Sequence, residues 1–73
     1  MLIKTPSDIG TEVRQARKNL KVTQEQLALT SGTGLRFVID LEKGKPTCQV
    51  GKILQVLNTL GLTVELKSLG QQS

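Results

Sequence analysis

The side chains equipped for chemistry in this sequence are hydrogen-bond donors and charges rather than nucleophiles or metal ligands. There is no histidine, there is one cysteine (Cys48), and the six carboxylates are scattered along the chain. Those residues offer no metal site, no activated nucleophile and no carboxylate pair, so neither catalysis nor a metal or other cofactor is expected. What remains is gathered between positions 24 and 45: the amide of Gln24, the guanidinium of Arg36, the carboxylate of Asp40, and the ammonium groups of Lys43 and Lys45. A planar guanidinium fork, an amide and mobile cations suit non-covalent recognition of an anionic, acceptor-rich partner.

These residues need elements to hold them, and the stretch Thr23 to Lys45 reads as two short helices around a tight turn. Thr23 can cap the first helix while Gln26, three residues on, reaches back to the cap's N–H; Leu27 and Ala28 give its buried face. Ser31 to Gly34, SGTG, breaks that helix, and a second runs from about Leu35 to Lys43, stopped by Gly44 with Pro46 beyond. Two helices crossing over a short glycine-containing turn form a helix-turn-helix, whose second helix enters a DNA major groove.

The flanking chain supplies the packing. Thr5, Pro6 and Asp8 open a helix running to about Asn19 or Leu20, with Ile9, Val13, Ala16 and Leu20 on its apolar side. Pro46 and Thr47 open another, ending near Leu60, with Val50, Ile53, Leu54, Leu57 and Leu60 as its buried stripe. Leu62 to Lys67 then alternates apolar and polar as a half-buried strand does, so Leu62, Val64 and Leu66 share one face. A lone strand is unstable, and its partner is either Met1 to Lys4 or the same strand of a second subunit. Residues 68–73 read as a flexible tail.

With 73 residues the chain makes one domain, 1–73, with a helical core over 5–60 and too little core to make dimerisation surprising. Ten Lys and Arg oppose six Asp and Glu, and eight of the ten lie at or before Lys45, in the half that carries the motif. That asymmetry suits a polyanion. No leader pattern or long apolar run is present, so a cytoplasmic protein without membrane contact is expected.

TQEQLA at 23–28, Gly32 and the LEKGK ending of the second motif helix resemble the Cro/repressor-type (XRE) helix-turn-helix family over about Ser7 to Leu60. Within it, GLRFVIDLEKGKPT followed by VLNTLGLTVEL is similar to the HipB-type antitoxins. The resemblance implies a mainly α fold, a four- to five-helix Cro/repressor-like bundle with a short C-terminal β-strand, 62–67, used in dimerisation. It further implies a homodimeric repressor on a palindromic double-stranded operator, partnered by a HipA-type kinase toxin and autoregulating its operon. Arg17 and Glu42 stand where that family has a partly buried structural ion pair.

For Gln24 the resemblance implies a phosphate contact; the residue by itself is an ordinary polar surface position. Arg36 either grips the two major-groove acceptors of guanine or pairs with Asp40 at a gain of a few tenths of a kcal/mol. Asp40 either orients that guanidinium or accepts from a cytosine amino group. Lys43 and Lys45, with Thr47 beside them, are phosphate contacts or merely solvated. Gly34 opens the second helix where the family uses Ser or Thr, and Leu35, Phe37 and Ile39 are apolar. Base readout is therefore expected to be sparse and to lean on methyl contacts and DNA shape, with Gly34 and Leu35 among the DNA-contacting residues and Phe37 in the core, facing a second subunit or reading a thymine methyl. A stand-alone phage-type or housekeeping regulator, and a protein-interaction module without DNA affinity, remain as other readings.

Overall fold

The computed structural model describes residues 2–68; Met1 and all of the expected tail beyond Ser68 lie outside the described residues. Four helices follow in order, α1 Pro6–Asn19, α2 Gln24–Ser31, α3 Leu35–Glu42 and α4 Val50–Thr59. None of them is long and apolar enough to cross a membrane.

Short-range chemistry sets the helix ends. The Thr5 hydroxyl accepts the Asp8 N–H at 3.1 Å, while the Asp8 carboxylate accepts the N–H groups of Lys4 (2.8 Å) and Thr5 (3.1 Å). The Lys4 N–H is the main reason that this carboxyl lies below its ordinary range. Thr23 and Gln26 make the same reciprocal pair at the start of α2, at 3.0 and 2.9 Å. At the other ends, α1, α3 and α4 close with one pattern, in which an N–H reaches back five residues: Val22 to Arg17 O (3.1 Å), Lys45 to Asp40 O (3.0 Å), and Leu62 to Leu57 O (2.8 Å). The residue before each donor is left-handed. In α3 and α4 it is a glycine, but in α1 it is Lys21, at φ +58°, a conformation costing an L residue about 1–2 kcal/mol.

The core is Val13 from α1, Leu27 and Ala28 from α2, Val38 and Leu41 from α3, and Val56, Leu57 and Leu60 from α4 and its cap. Three expectations about the helices need correcting. First, α4 starts at Val50, not at Pro46 and Thr47, because those two make a turn that brings Cys48 against the core before the helix begins. Second, its buried stripe is rotated: Val56 is wholly buried, whereas Val50 is 68% exposed and Leu54 43%. A core built by eight side chains covers only the C-terminal half of α4. Third, Leu20, expected inside, caps α1 beyond its last helical turn and is mostly exposed.

The C-terminal segment also departs from expectation. Leu62 is partly buried against the core, and 63–68 continue exposed without regular structure; no strand is present among the described residues. The reason is physical: residues 2–4 do not pair with this segment, and an unpaired strand gains no backbone hydrogen bonds to offset its ordering.

The tightest seam is between α1 and α3. A Cβ added to Gly10 would lie 2.5 Å from Leu41 O and 2.8 Å from Glu42 O, so the bare glycine lets two backbones meet. One turn away, a Cβ added to Gly44 would lie 2.8 Å from Ser7 Cα. At the far end of the seam Arg17 and Glu42 form a two-pronged pair, Nε to Oε2 at 2.7 Å and Nη2 to Oε1 at 3.0 Å, with side chains only 12% and 5% exposed. The bond to Glu42 raises the Arg17 pKa above its ordinary value. Arg17 Nη1 also donates to Val22 O at 2.9 Å, so one side chain ties α1, its link to α2, and α3.

Removing either member of this pair strands the other in a nearly closed site. Arg17→Ala and Glu42→Gln are each expected to destabilise by about 3 kcal/mol, a fall in Tm of more than ~10 °C for a domain this small. Thermal unfolding followed by circular dichroism checks this. Gly10→Ala and Gly51→Ala should move stability in opposite directions. Both gain roughly 1 kcal/mol of helix propensity, but Gly10→Ala drives a Cβ into backbone that cannot swing away, whereas an added Cβ on Gly51 meets nothing within 4 Å. Urea denaturation of the two variants reads the sign directly.

Candidate nucleic-acid interface

The pair of helices that could dock into a groove is α2 and α3, joined by Gly32, Thr33 and Gly34. Ser31, buried at the end of α2, bonds Ala28 O at 3.4 Å and the Thr33 hydroxyl at 2.9 Å, and Gln55 of α4 donates to Ser31 O at 3.2 Å, so the turn is held from below. Gly34 opens α3 at φ +100° and offers no side-chain cap. A non-glycine residue would be strained there, and the first turn of α3 consequently begins with bare backbone at the surface. Val38 and Leu41 point into the core and fix the rotation of the helix about its axis.

That rotation leaves Arg36 at the surface with its side chain 83% exposed. Leu35 beside it is partly exposed. Asp40 is different: mostly hidden, it holds Arg36 Nε on one oxygen at 3.5 Å and Lys45 Nζ on the other at 3.4 Å. It thus sits between two cations, oriented toward them. Phe37 is partly buried against the core, with Lys52 Nζ 5.8 Å from its ring centroid, so its face is occupied within the chain. Burial, and then Asp40, push the Cys48 thiol up from its ordinary range.

Gln24 lies in the first turn of α2, and its Nε2 donates to Glu42 Oε1 at 3.1 Å, the same oxygen that Arg17 Nη2 contacts. The amide therefore extends the Arg17–Glu42 pair into α2 and keeps one N–H for an outside partner. Nothing local in the sequence announces this bond, since its partners are 18 residues apart. Around it, Arg14, Arg17, Gln24, Ile39, Glu42 and Lys43 line an open cleft of about 350 Å³. Arg14 is the residue that sequence reasoning passed over. Its signal was present, three residues before Arg17 and so near it on the same side of α1. A larger hollow of about 500 Å³ lies elsewhere, lined by Leu20, Val22, Leu29 and Leu60 among others, and includes none of the residues of α3.

Comparison with known proteins agrees with this geometry. The helix-turn-helix family model matches residues 13–67. A relative from Sinorhizobium fredii (strain NBRC 101917 / NGR234), the uncharacterised HTH-type transcriptional regulator y4mF, is 53% identical over 70 residues, covering 96% of this chain and 92% of its own. Among solved structures, a chain of the HipB–O4 20mer complex superposes with a TM-score of 0.85 at 19% identity, covering 94% of this chain and 97% of that one. A chain of the HipA–HipB–O2–O3 complex matches with the same score, identity and coverage. At that identity the two structures speak for the fold, and the family match and the relative speak for descent: the chain belongs to the XRE-type helix-turn-helix family.

Proposed function

We propose that this protein is a sequence-specific DNA-binding repressor acting as a homodimer on a palindromic operator, and the antitoxin of a HipA-type kinase toxin. The observation that carries the DNA reading is the presentation of α3. Its inward residues are locked in the core, while Arg36 is exposed on its first turn with Asp40 behind it, and Lys43 and Lys45 follow at its end. In this reading Arg36 takes a guanine edge, Leu35 and the bare first turn at Gly34 approach thymine methyls or the backbone, Asp40 orients Arg36 and Lys45, and Gln24, Lys43 and Lys45 contact phosphates. The protein binds rather than catalyses, and works in the cytoplasm as one domain spanning 1–73.

The antitoxin setting draws support from the HipB-like fold and from the 34–47 and 56–66 segments that resemble HipB-type proteins. Co-expression with the product of the neighbouring reading frame, followed by footprinting on the shared promoter, tests partner and operator together. A kinase-like protein should co-purify and the footprint should show an inverted repeat; the absence of such a neighbour would favour a stand-alone regulator.

For the dimer, the proposed contact is the segment that stays open in the single chain. Val64 and Leu66 are exposed, and beyond Leu62 the backbone of 63–68 makes no backbone hydrogen bond among the described residues. Pairing with the same segment of a second copy would build the strand of residues 62–67 and cover its apolar face, with Leu62 already anchored on its own core. The recognition helices would then meet half-sites about 34–36 Å apart.

Two predictions distinguish these roles. Arg36→Ala should cost about 1–3 kcal/mol and relax preference at one base pair, while Lys43→Ala should weaken binding to every sequence and flatten its salt dependence. Binding to a panel of single-base operator variants separates the two. Val64→Asp should give a folded monomer with weakened operator affinity, because the second half-site is lost with the second subunit. Sedimentation equilibrium decides this, and a variant that remained dimeric would move the interface onto the helices.

A further inference from the structure

We infer that Arg14, together with Lys43 and the remaining amide hydrogen of Gln24, seats one backbone phosphate of the DNA duplex in the cleft between α1, α2 and α3. The inference rests on the DNA-binding function proposed above and extends the contact surface to α1, which no sequence motif placed there.

The charge balance of the cleft is the first reason. Of its lining groups, Arg17 and Glu42 neutralise one another through two short bonds. The other ion pairs among the described residues are Arg36–Asp40 and Lys45–Asp40, and neither involves Arg14 or Lys43. Two uncompensated cations therefore open onto one hollow of about 350 Å³. They repel each other while the cleft holds only water, and an anion between them turns that repulsion into attraction.

Position is the second reason. The third wall of the cleft is α3 itself, through Ile39 and Glu42, and Ile39 stands three residues from Arg36. A duplex that receives Arg36 in its groove must carry its bordering sugar–phosphate strand along the flank of α3, where the cleft opens. Arg14 brings a flat fork of donors that matches two phosphate oxygens, Lys43 a mobile point charge, and Gln24 a donor already oriented by its bond to Glu42. Because Arg14 is exposed and carries no fold-holding bond among those described, its replacement should leave the fold intact.

The test is the affinity of the full-length protein for a fluorescein-labelled operator duplex across a range of NaCl concentrations, with Arg14→Ala, Arg14→Lys and Lys21→Gln compared with the wild type. Lys21 borders the apolar hollow near Leu20 and Leu29, so Lys21→Gln removes the same charge from elsewhere on the surface. In Arg14→Ala the plot of log affinity against log salt should be shallower by up to about 0.9 for each bound protomer, since Lys43 still faces the same phosphate, with operator and scrambled duplex weakened equally. Arg14→Lys should restore most of the slope, and Lys21→Gln should keep the wild-type value. A wild-type slope in Arg14→Ala, or an equal change in Lys21→Gln, overturns the phosphate seat while leaving the DNA function standing. A wild-type protein that shows no salt-dependent binding to duplex overturns both.

Discussion

The guanidinium of Arg17 is the point on which the arrangement of this small protein turns. It bonds Glu42 at the end of α3 with two nitrogens and the Val22 carbonyl between α1 and α2 with the third, and Glu42 in turn holds Gln24 at the start of α2. A buried pair of this kind is not a large net source of stability, since desolvation consumes most of the Coulombic gain. Its importance is in what it forbids. Any packing of α3 that separated the partners would leave a charge buried and unmatched, so competing orientations are disfavoured even where the apolar contacts would tolerate them.

The same seam limits how α3 can shift. At Gly10 the backbones of α1 and α3 touch without an intervening side chain, and the ion pair closes the seam at its other end. Between these two fixed points Val38 and Leu41 must face inward, and the outward direction of Arg36 follows. In a chain whose buried core is eight side chains, polar and steric constraints of this sort do work that a larger domain leaves to hydrophobic area.

Whatever depends on neighbours in sequence was legible. The cap at Thr5, the reciprocal cap at Thr23–Gln26, the break at Gly32 and the stop at Gly44 each need only a few consecutive residues. Whatever depends on distant partners was not. The apolar positions of α4 span more of its circumference than a small core can cover, and only tertiary packing selects Val56 over Val50 and Leu54. The start of α4 moved because Cys48 had to reach the core, a demand invisible in Pro46 and Thr47 themselves. Alternation over Leu62 to Lys67 suggested a strand, but a strand is a property of two segments, and among the described residues nothing pairs with this one. The Gln24–Glu42 bond likewise joins residues that no local period connects.

The division of labour along α3 bears on how such a protein can change. Val38 and Leu41 carry the packing, Glu42 carries the clamp, and Leu35 and Arg36 carry neither. Substitutions at the outward positions leave every core contact and the Arg17–Glu42 bond in place, so they are nearly neutral for folding. On the DNA reading proposed above, duplicated copies of the gene could therefore drift toward different target sequences through single steps, each remaining folded along the way, while Gly10, Arg17 and Glu42 stayed unchanged.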